Sequence, residues 1–163
     1  MVIGAIFAGG IGSRMGSADM PKQYLQLGSK PIIVHTIEKF VVNPGIDRII
    51  VLCPKAWIAH TKDLVKKYLG EAIAEKINVV EGGSTRNGTL ENALKFINEN
   101  FAIDDDSVIV THDAVRPFVT HRIIDENIEA AKKYGACDTV IPATDTIVRS
   151  EDSENVSSIP TRS

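Results

Sequence analysis

The sequence predicts an α/β fold: a Rossmann-like, mostly parallel sheet with helices on both faces, followed by a β-arm near the C-terminus. Two observations carry this prediction. Short apolar runs alternate about five times with longer segments of helical periodicity along the 163 residues, as in parallel sheets with crossover helices. Polar segments follow four of these runs, at the end of a strand where ligands bind in open α/β sheets.

The composition indicates one globular domain over residues 1–163, in which 144–163 begin the arm. The chain is 44% hydrophobic and 24% charged, with a formal net charge of −3. This balance argues against a nucleic-acid binder, which usually carries a basic excess. No apolar run approaches the roughly 20 residues of a membrane-spanning helix, so we expect no membrane partner and a cytoplasmic location.

The predicted strands are continuous apolar runs, as expected for strands that are buried on both faces. They are Val2–Ala8, Asp47–Cys53, Ile77–Val80, Ser107–Thr111 and Asp138–Ala143. The predicted helices are Pro31–Phe40, Lys55–Leu69, Leu90–Asn100 and Thr120–Tyr134, the last with Thr120 as N-cap. The segments "TIVRS", "EDSEN" and "VSSIP" predict an antiparallel hairpin or arm. The polar ending "SSIPTRS" lacks a closing element, so we expect the C-terminal part of a longer domain to be absent.

The first polar segment, "AGGIGSRMG" at residues 8–16, is suited to binding phosphate. Its glycines permit positive φ angles and close approach of backbone N–H groups to an anion. Arg14 and Lys22 supply positive charge. The segment matches neither G-x-x-x-x-G-K-[ST] nor G-x-G-x-x-G, and no acidic residue ends the second strand, which disfavours a dinucleotide-dependent oxidoreductase. A tight turn with an exposed arginine and lysine is the alternative.

Two further segments offer ligand-binding groups. "EGGSTRNGT", residues 81–89, combines two glycines with hydroxyl groups; its alternative is a helix N-cap with a glycine turn, in which Arg86 pairs with an acidic neighbour. "THDAVRPF", residues 111–118, places Asp113 at a strand end, where one carboxylate suits Mg²⁺ that keeps phosphate and water ligands. We expect His112 to make a structural hydrogen bond, because no second His or Cys lies at ligand spacing.

Together, "AGGIGSRMG…MPKQYL", "GGSTRN", "THDAVRPF" and "DT" resemble the cytidylyltransferases that activate small sugar or polyol phosphates, over the whole chain. That family includes methylerythritol-phosphate and ribitol-5-phosphate cytidylyltransferases. The stretches "VTHDAVRPFVTHRIIDENI" and "YGACDTVIPATDTIV" resemble the ribitol-phosphate branch more closely. The resemblance therefore implies the nucleotide-diphospho-sugar transferase type of fold.

The resemblance also implies a role for each matching position. Arg14 and Lys22 match the catalytic residues that stabilise the transition state, and Asp113 matches the aspartate associated with Mg²⁺. The positions that match CTP-binding residues are Phe7, Ala8, Gly9, Gly10, Gly82, Gly83, Ser84, Arg86 and Thr89. The positions that match acceptor-binding residues are Arg116, Thr146 and Arg162. Thr85 departs from the family, since relatives often carry an acidic residue there.

The implied reaction joins CTP and a polyol phosphate to give a CDP-polyol and pyrophosphate. The sequence favours D-ribitol 5-phosphate as acceptor, which belongs to teichoic acid and cell-wall synthesis. The alternative acceptor is 2-C-methyl-D-erythritol 4-phosphate, which belongs to isoprenoid synthesis. A nucleotide-binding fragment without activity is the second alternative. The resemblance further implies a homodimer formed through the β-arm.

Overall fold

A four-stranded parallel sheet is the centre of the computed structural model, which describes residues 1–10, 20–142 and 144–161. The strands are β1 (Val2–Phe7), β2 (Gln26–Leu27), β3 (Lys30–Pro31), β4 (Arg48–Cys53), β5 (Ile77–Glu81) and β6 (Val108–Asp113). The helices are α1 (Ile32–Val41), α2 (Ile58–Leu69), α3 (Glu71–Ala74), α4 (Arg86–Asn100) and α5 (His121–Tyr134). Strands β2 and β3 form a separate antiparallel hairpin.

The order of the strands in the sheet places the switch point between β1 and β6. The order is β5-β4-β1-β6, and every neighbouring pair is parallel. The chain moves outward from β1 to β4 and β5, then crosses back to β6 on the other side of β1. In such sheets ligands bind outside the carboxyl ends of the strands where the order reverses. The ends of β1 and β6, Phe7 and Asp113, are register partners at that point.

Helices cover both faces of the sheet, as the sequence predicts. Alternate residues of β1 point to opposite sides because the side-chain period of a strand is two. Ile6 belongs to one buried cluster with residues of α1, α2 and α5, whereas Ile3 and Ala5 belong to a second cluster with Ala93 and Ile97 of α4. The α/β fold class is therefore confirmed, with apolar layers above and below the sheet.

The prediction of a fifth strand over Asp138–Ala143 is wrong for residues 138–142, which are the described part of that range. Residues 138–142 form neither helix nor strand, and Val140 and Ile141 are 79% and 85% exposed. Their apolar pattern suits a strand, but a strand needs a neighbour to satisfy its backbone N–H and C=O groups. Within the described ranges no segment pairs with them. Ala143 lies outside the described residues.

Within residues 144–161, the predicted arm is present as one antiparallel bridge. Arg149 and Ser158 pair across it, and the Arg149 N–H donates to the Ser158 carbonyl at 2.8 Å. Asp152 closes the turn between them, because its carboxylate accepts hydrogen bonds from the backbone N–H groups of Glu154 and Asn155. Local turn chemistry therefore orders this segment, without the ladder of a full hairpin.

Helix α4 begins four residues before the predicted start. The Thr85 hydroxyl accepts a hydrogen bond from the Gly88 N–H at 3.0 Å, so Thr85 is the N-cap and Arg86 the first helical residue. Thr120 caps α5 in the same way, as predicted. A hydroxyl at the N-cap satisfies one of the free N–H groups of the first helical turn. None of the helices in the described ranges has the length and apolar character of a membrane span.

Candidate active site

A cavity of about 380 Å³ lies at the carboxyl ends of the central strands. This volume falls within the range of small-molecule sites. Its walls come from the end of β1, the 3₁₀ turn Lys22–Tyr24, the segment between β5 and α4, and the end of β6. The lining residues are Phe7, Ala8, Gly9, Gly10, Lys22, Gln23, Gly83, Ser84, Thr85, Arg86, Thr89, Asp113 and Val115. We refer to this cavity as the central cavity.

The first wall of the central cavity continues β1. The Ala8 N–H donates to the Leu52 carbonyl of β4 at 2.7 Å, which fixes the chain to the sheet just before the glycines. The N–H groups of Gly9 and Gly10 have no backbone acceptor among the described residues. Backbone N–H groups that no described carbonyl engages are the kind of donor that an anion at this edge needs.

Lys22 begins the 3₁₀ turn, and both residues after it are buried. The Gln23 side chain is 1% exposed, and its Nε2 donates to the Ala8 carbonyl at 2.6 Å. The Tyr24 ring stacks on Trp57 with centroids 4.5 Å apart, and its hydroxyl lies 2.8 Å from the Thr61 hydroxyl. Burial raises the pKa of Tyr24 despite the hydrogen bond to Thr61, so the phenol stays neutral. The turn is therefore held on two sides, and the Lys22 side chain faces the cavity.

The Lys22 ammonium is available to an anion. Within the described ranges, no carboxylate forms an ion pair with it. A lysine in a cavity next to backbone N–H groups forms a local positive site in a protein whose net charge is −3. Such a site attracts phosphate oxygens.

Close backbone packing explains the glycine at position 83. A Cβ atom there would lie 2.3 Å from the carbonyl carbon of Gly88 and 2.6 Å from the nitrogen of Thr89. The Thr89 side chain is 3% exposed; its hydroxyl accepts from the Gly83 N–H at 3.1 Å and donates to the Thr85 carbonyl at 2.9 Å. Thr89, predicted to bind CTP, thus holds the shape of the segment with its hydroxyl.

Positive φ angles do not explain the glycines of the central cavity. Among the described glycines, positive φ occurs at Gly28, Gly70 and Gly135, all outside the predicted binding segments. Positive φ, the conformational reason given for the first polar segment, is therefore wrong for Gly9 and Gly10. At position 83 the reason for a glycine is the packing of its backbone against Gly88 and Thr89.

An ion-pair network joins the second and third polar segments. The Asp113 carboxylate contacts Arg86 Nη1 at 2.5 Å through one oxygen and Arg116 Nε at 2.9 Å through the other. The Arg86 guanidinium also lies 5.4 Å from the centre of the Phe7 ring. The ion pair with an acidic residue that the alternative expects for Arg86 is therefore present. Two cations on one carboxylate leave net positive charge at the cavity edge.

The network keeps Asp113 ionised. Burial acts to raise the pKa of the carboxyl, but the hydrogen bonds and charges of Arg86 and Arg116 outweigh it, so the pKa lies below its usual value. A carboxyl whose pKa is depressed by folding stabilises the protein above its unfolded pKa, near 4. That contribution disappears as the pH falls through the folded pKa.

We therefore expect Asp113→Asn to weaken the acid sensitivity of folding. Between about pH 5 and pH 3, the free energy of unfolding should fall less for the variant than for the wild type. Urea unfolding at several pH values measures this difference. Arg122→Gln is the matched control, because Arg122 pairs with Glu126 on the exposed face of α5, outside the cavity. Equal acid sensitivity of wild type and Asp113→Asn would contradict the prediction.

A second cavity of about 710 Å³ adjoins the central cavity. The two share Arg86, Asp113 and Val115, and the second is also lined by Arg116. His112 lines it as well, and its Nε2 lies 3.0 Å from the Arg116 carbonyl oxygen. This contact agrees with a structural hydrogen bond of His112 and fixes the turn that carries Arg116.

The structure brings together most of the predicted site residues. Those lining the central cavity are Phe7, Ala8, Gly9, Gly10, Lys22, Gly83, Ser84, Arg86, Thr89 and Asp113. Gly82 precedes this wall, and Arg116 lines the adjoining cavity. No residue of 144–161 is among the described residues that line the central cavity, so Thr146 is not brought to it. Arg14 and Arg162 lie outside the described residues.

Sequence reasoning missed Gln23 and Tyr24. Gln23 lies between a lysine and an aromatic residue in "PKQYL", and no periodic pattern marks it as buried. Trp57, which packs on Tyr24, lies more than 30 positions away along the chain. The only local signal was the placement of a polar residue beside a predicted ligand-binding lysine.

The donor set of the central cavity fits a metal ion that arrives with a phosphate ligand. In the described ranges, no group of three or more His, Cys, Asp or Glu side chains could hold a metal ion. Asp113 offers one ionised carboxylate, whose oxygens already contact arginines. Mg²⁺ typically takes one or two carboxylates and completes its shell with phosphate and water. Asp113 therefore suits a metal–nucleotide complex.

Comparison with known proteins places the chain in a family. The family model described as IspD, 2-C-methyl-D-erythritol 4-phosphate cytidylyltransferase, matches residues 2–163. The crystal structure of 4-diphosphocytidyl-2C-methyl-D-erythritol synthase from Anaerococcus prevotii has a TM-score of 0.75 at 26% identity and covers 99% of this chain. The chain spans 64% of the length of that protein.

Two further structures have the same fold. Another crystal structure of 4-diphosphocytidyl-2C-methyl-D-erythritol synthase has a TM-score of 0.72 at 25% identity, covering 99% of this chain and 68% of its own. The bifunctional IspDF from Campylobacter jejuni has a TM-score of 0.61 at 23% identity, covering 81% of this chain and 31% of its own, and supports the fold alone. Because the family model spans nearly the whole sequence, the chain belongs to the 2-C-methyl-D-erythritol 4-phosphate cytidylyltransferase family.

Proposed function

We propose that the protein transfers the cytidylyl group of CTP to 2-C-methyl-D-erythritol 4-phosphate and releases pyrophosphate. The observation that carries this proposal is the central cavity. It joins the Lys22 ammonium, the Asp113 carboxylate and the N–H groups of Gly9 and Gly10 at the switch point of the sheet. These N–H groups have no backbone acceptor among the described residues. Family membership supports the choice of CTP and a phosphorylated sugar alcohol.

The reaction needs no general base. A phosphate monoester has a second pKa near ~6 and is largely dianionic at pH 7, so its oxygen is already a nucleophile. That oxygen attacks the α-phosphorus of CTP, and the bond between the α-phosphorus and the oxygen bridging to the β-phosphorus breaks. Pyrophosphate leaves with the electron pair. The protein must gather two anions and stabilise the charge on the leaving oxygens.

The residues of the central cavity suit this task. We assign Lys22 to the phosphates, where its positive charge stabilises the developing charge of the leaving group. The N–H groups of Gly9 and Gly10 add neutral donors at the same wall. The segment from Gly83 to Arg86 forms another wall of the cavity, and we assign it to contact the nucleoside. Arg14 keeps the catalytic role implied by its position, and it lies outside the described residues.

We infer a divalent cation, and propose Mg²⁺, at Asp113. When bound, the cation neutralises phosphate charge and polarises the phosphoryl oxygens. Asp113 would hold it through an ionised oxygen, while the phosphates complete the shell. Arg86 and Arg116 keep the carboxylate deprotonated and oriented toward the cavity edge.

Two acceptors were predicted from the sequence, D-ribitol 5-phosphate and 2-C-methyl-D-erythritol 4-phosphate. The family description names 2-C-methyl-D-erythritol 4-phosphate, whereas "VTHDAVRPFVTHRIIDENI" favours D-ribitol 5-phosphate. We give priority to methylerythritol phosphate because the family model spans residues 2–163, a much longer match. For either acceptor, we propose that the Arg116 guanidinium, in the adjoining cavity, binds the acceptor phosphate.

The acceptor is tested by measuring pyrophosphate release from CTP. We expect release with 2-C-methyl-D-erythritol 4-phosphate and Mg²⁺, and little release without the metal. With D-ribitol 5-phosphate, release should be slower by about tenfold or more, which corresponds to about 1.4 kcal/mol of barrier. Reactions without acceptor measure background hydrolysis. Faster release with ribitol phosphate would reverse the assignment. CTP binding without release in either reaction would instead support a nucleotide-binding protein without transferase activity.

We also propose that a homodimer forms through the arm. Segment 144–161 carries four exposed apolar side chains, which burial against a second copy of the segment would remove from water. They are Ile147, Val148, Val156 and Ile159. Sedimentation equilibrium should give a dimer mass, and the double variant Val148→Asp with Ile159→Asp should give a monomer mass. A monomeric wild type at high micromolar concentration would contradict this proposal.

A further inference from the structure

We propose that Gln23 is a positioning residue, which holds the Lys22 ammonium against the phosphate-binding glycines. This inference rests on the proposed function, because it assumes that Lys22 acts on a phosphate. The Gln23 side chain is 1% exposed, and its amide nitrogen donates to the Ala8 carbonyl at 2.6 Å. Ala8 is the residue directly before Gly9. One hydrogen bond thus links the turn carrying the cation to the wall carrying the N–H groups of Gly9 and Gly10.

The Ala8 peptide is a fixed point for this link. Its N–H donates to the Leu52 carbonyl at 2.7 Å, and its side chain is 2% exposed. The Ala8 N–H is therefore bonded to the neighbouring strand, and the Ala8 carbonyl is bonded to Gln23. A displacement of the 3₁₀ turn has to break or stretch the bond from Gln23. Lys22, the adjacent residue, moves with it.

Stability alone does not explain a glutamine at this position. A buried hydrogen bond contributes only about 1 kcal/mol net, because the unfolded amide is hydrogen-bonded to water. An apolar side chain of the same length, such as methionine, fills similar volume without burying an amide. What methionine lacks is a directional bond to Ala8. The neighbouring residue Tyr24 already anchors the turn by packing on Trp57. The bond of Gln23 adds orientation toward the glycines.

A double-mutant cycle on CTP affinity separates positioning from packing. The variants are Gln23→Met, Lys22→Ala and their combination, titrated with CTP and Mg²⁺ by calorimetry. If Gln23 acts through Lys22, Gln23→Met should weaken CTP binding about tenfold in the wild type, equal to about 1.4 kcal/mol. In the Lys22→Ala background it should change binding less than about twofold, because the coupled group is gone. We also expect kcat to fall more than KM rises.

Tyr24→Phe is the matched control, since it removes one buried hydrogen bond from the same turn while the ring keeps its stack on Trp57. Its effect on CTP affinity should be the same in both backgrounds. If Gln23→Met fails to fold, Gln23→Asn, which withdraws the amide by one methylene, replaces it in the cycle. Additive effects of Gln23 and Lys22 on CTP affinity would overturn this inference alone. Wild-type protein that fails to bind CTP would overturn the proposed function, and this inference with it.

Discussion

Lys22→Ala should lower the rate of cytidylyl transfer by about 100-fold or more and leave thermal unfolding unchanged. Removing one donor that stabilises transition-state charge typically costs about 3 kcal/mol of barrier, which corresponds to a factor of about 100. Lys22 lines the central cavity and, within the described ranges, makes no ion pair whose loss would destabilise the fold. Steady-state kinetics and a circular-dichroism melt measure the two quantities.

Lys55→Ala is a matched control for this experiment. Both lysines follow a proline and begin a 3₁₀ turn, Lys22–Tyr24 in one case and Lys55–Trp57 in the other. Lys55 is exposed and does not line the central cavity. Its loss should leave turnover within about twofold of the wild type. Normal turnover of a folded Lys22→Ala protein would remove Lys22 from the catalytic residues, whatever the control shows.

Gly83→Ala should lower the free energy of unfolding by about 3 kcal/mol and weaken CTP binding. Overpacking a tightly packed position costs about 1 to 3 kcal/mol. We expect the upper end of this range, because the added carbon would lie 2.3 Å from the carbonyl carbon of Gly88. The clashing atoms belong to the backbone, so a change of side-chain rotamer cannot relieve the contact. Relief requires Gly83 and the first turn of α4 to separate. That movement also breaks the hydrogen bond from the Gly83 N–H to the Thr89 hydroxyl and shifts the wall of the cavity.

Gly10→Ala is the control, because a Cβ atom at position 10 would meet none of the described residues within 4 Å and Gly10 does not adopt a positive φ. Its free energy of unfolding should stay within about 0.5 kcal/mol of the wild type. Urea unfolding monitored by circular dichroism compares the three proteins. Equal stability of Gly83→Ala and Gly10→Ala would mean that the close approach of Gly83 to α4 does not constrain the native state.

The sequence by itself determined the layers of the fold and most of the central cavity. Four apolar runs were long enough to be buried strands, and their order with the intervening helices sufficed for a parallel sheet covered on both faces. Because parallel strands end at one edge, the polar segments after them had to converge. Lys22 and Asp113 were predicted from their polar segments, Arg86 gained its binding role from the family resemblance, and all three line one cavity.

Only the tertiary structure decided how these groups are paired and held. The apolar pattern of 138–142 predicted a strand, but a strand exists only where a neighbour accepts its backbone hydrogen bonds, and none of the described segments does. Arg86 and Asp113 are 27 positions apart, so their ion pair is invisible to local periodicity. The burial of Gln23 and the close approach of Gly83 to Gly88 likewise depend on which segments meet in space. Local patterns report the preference of one segment for an environment, whereas contacts between distant segments form only when the chain folds.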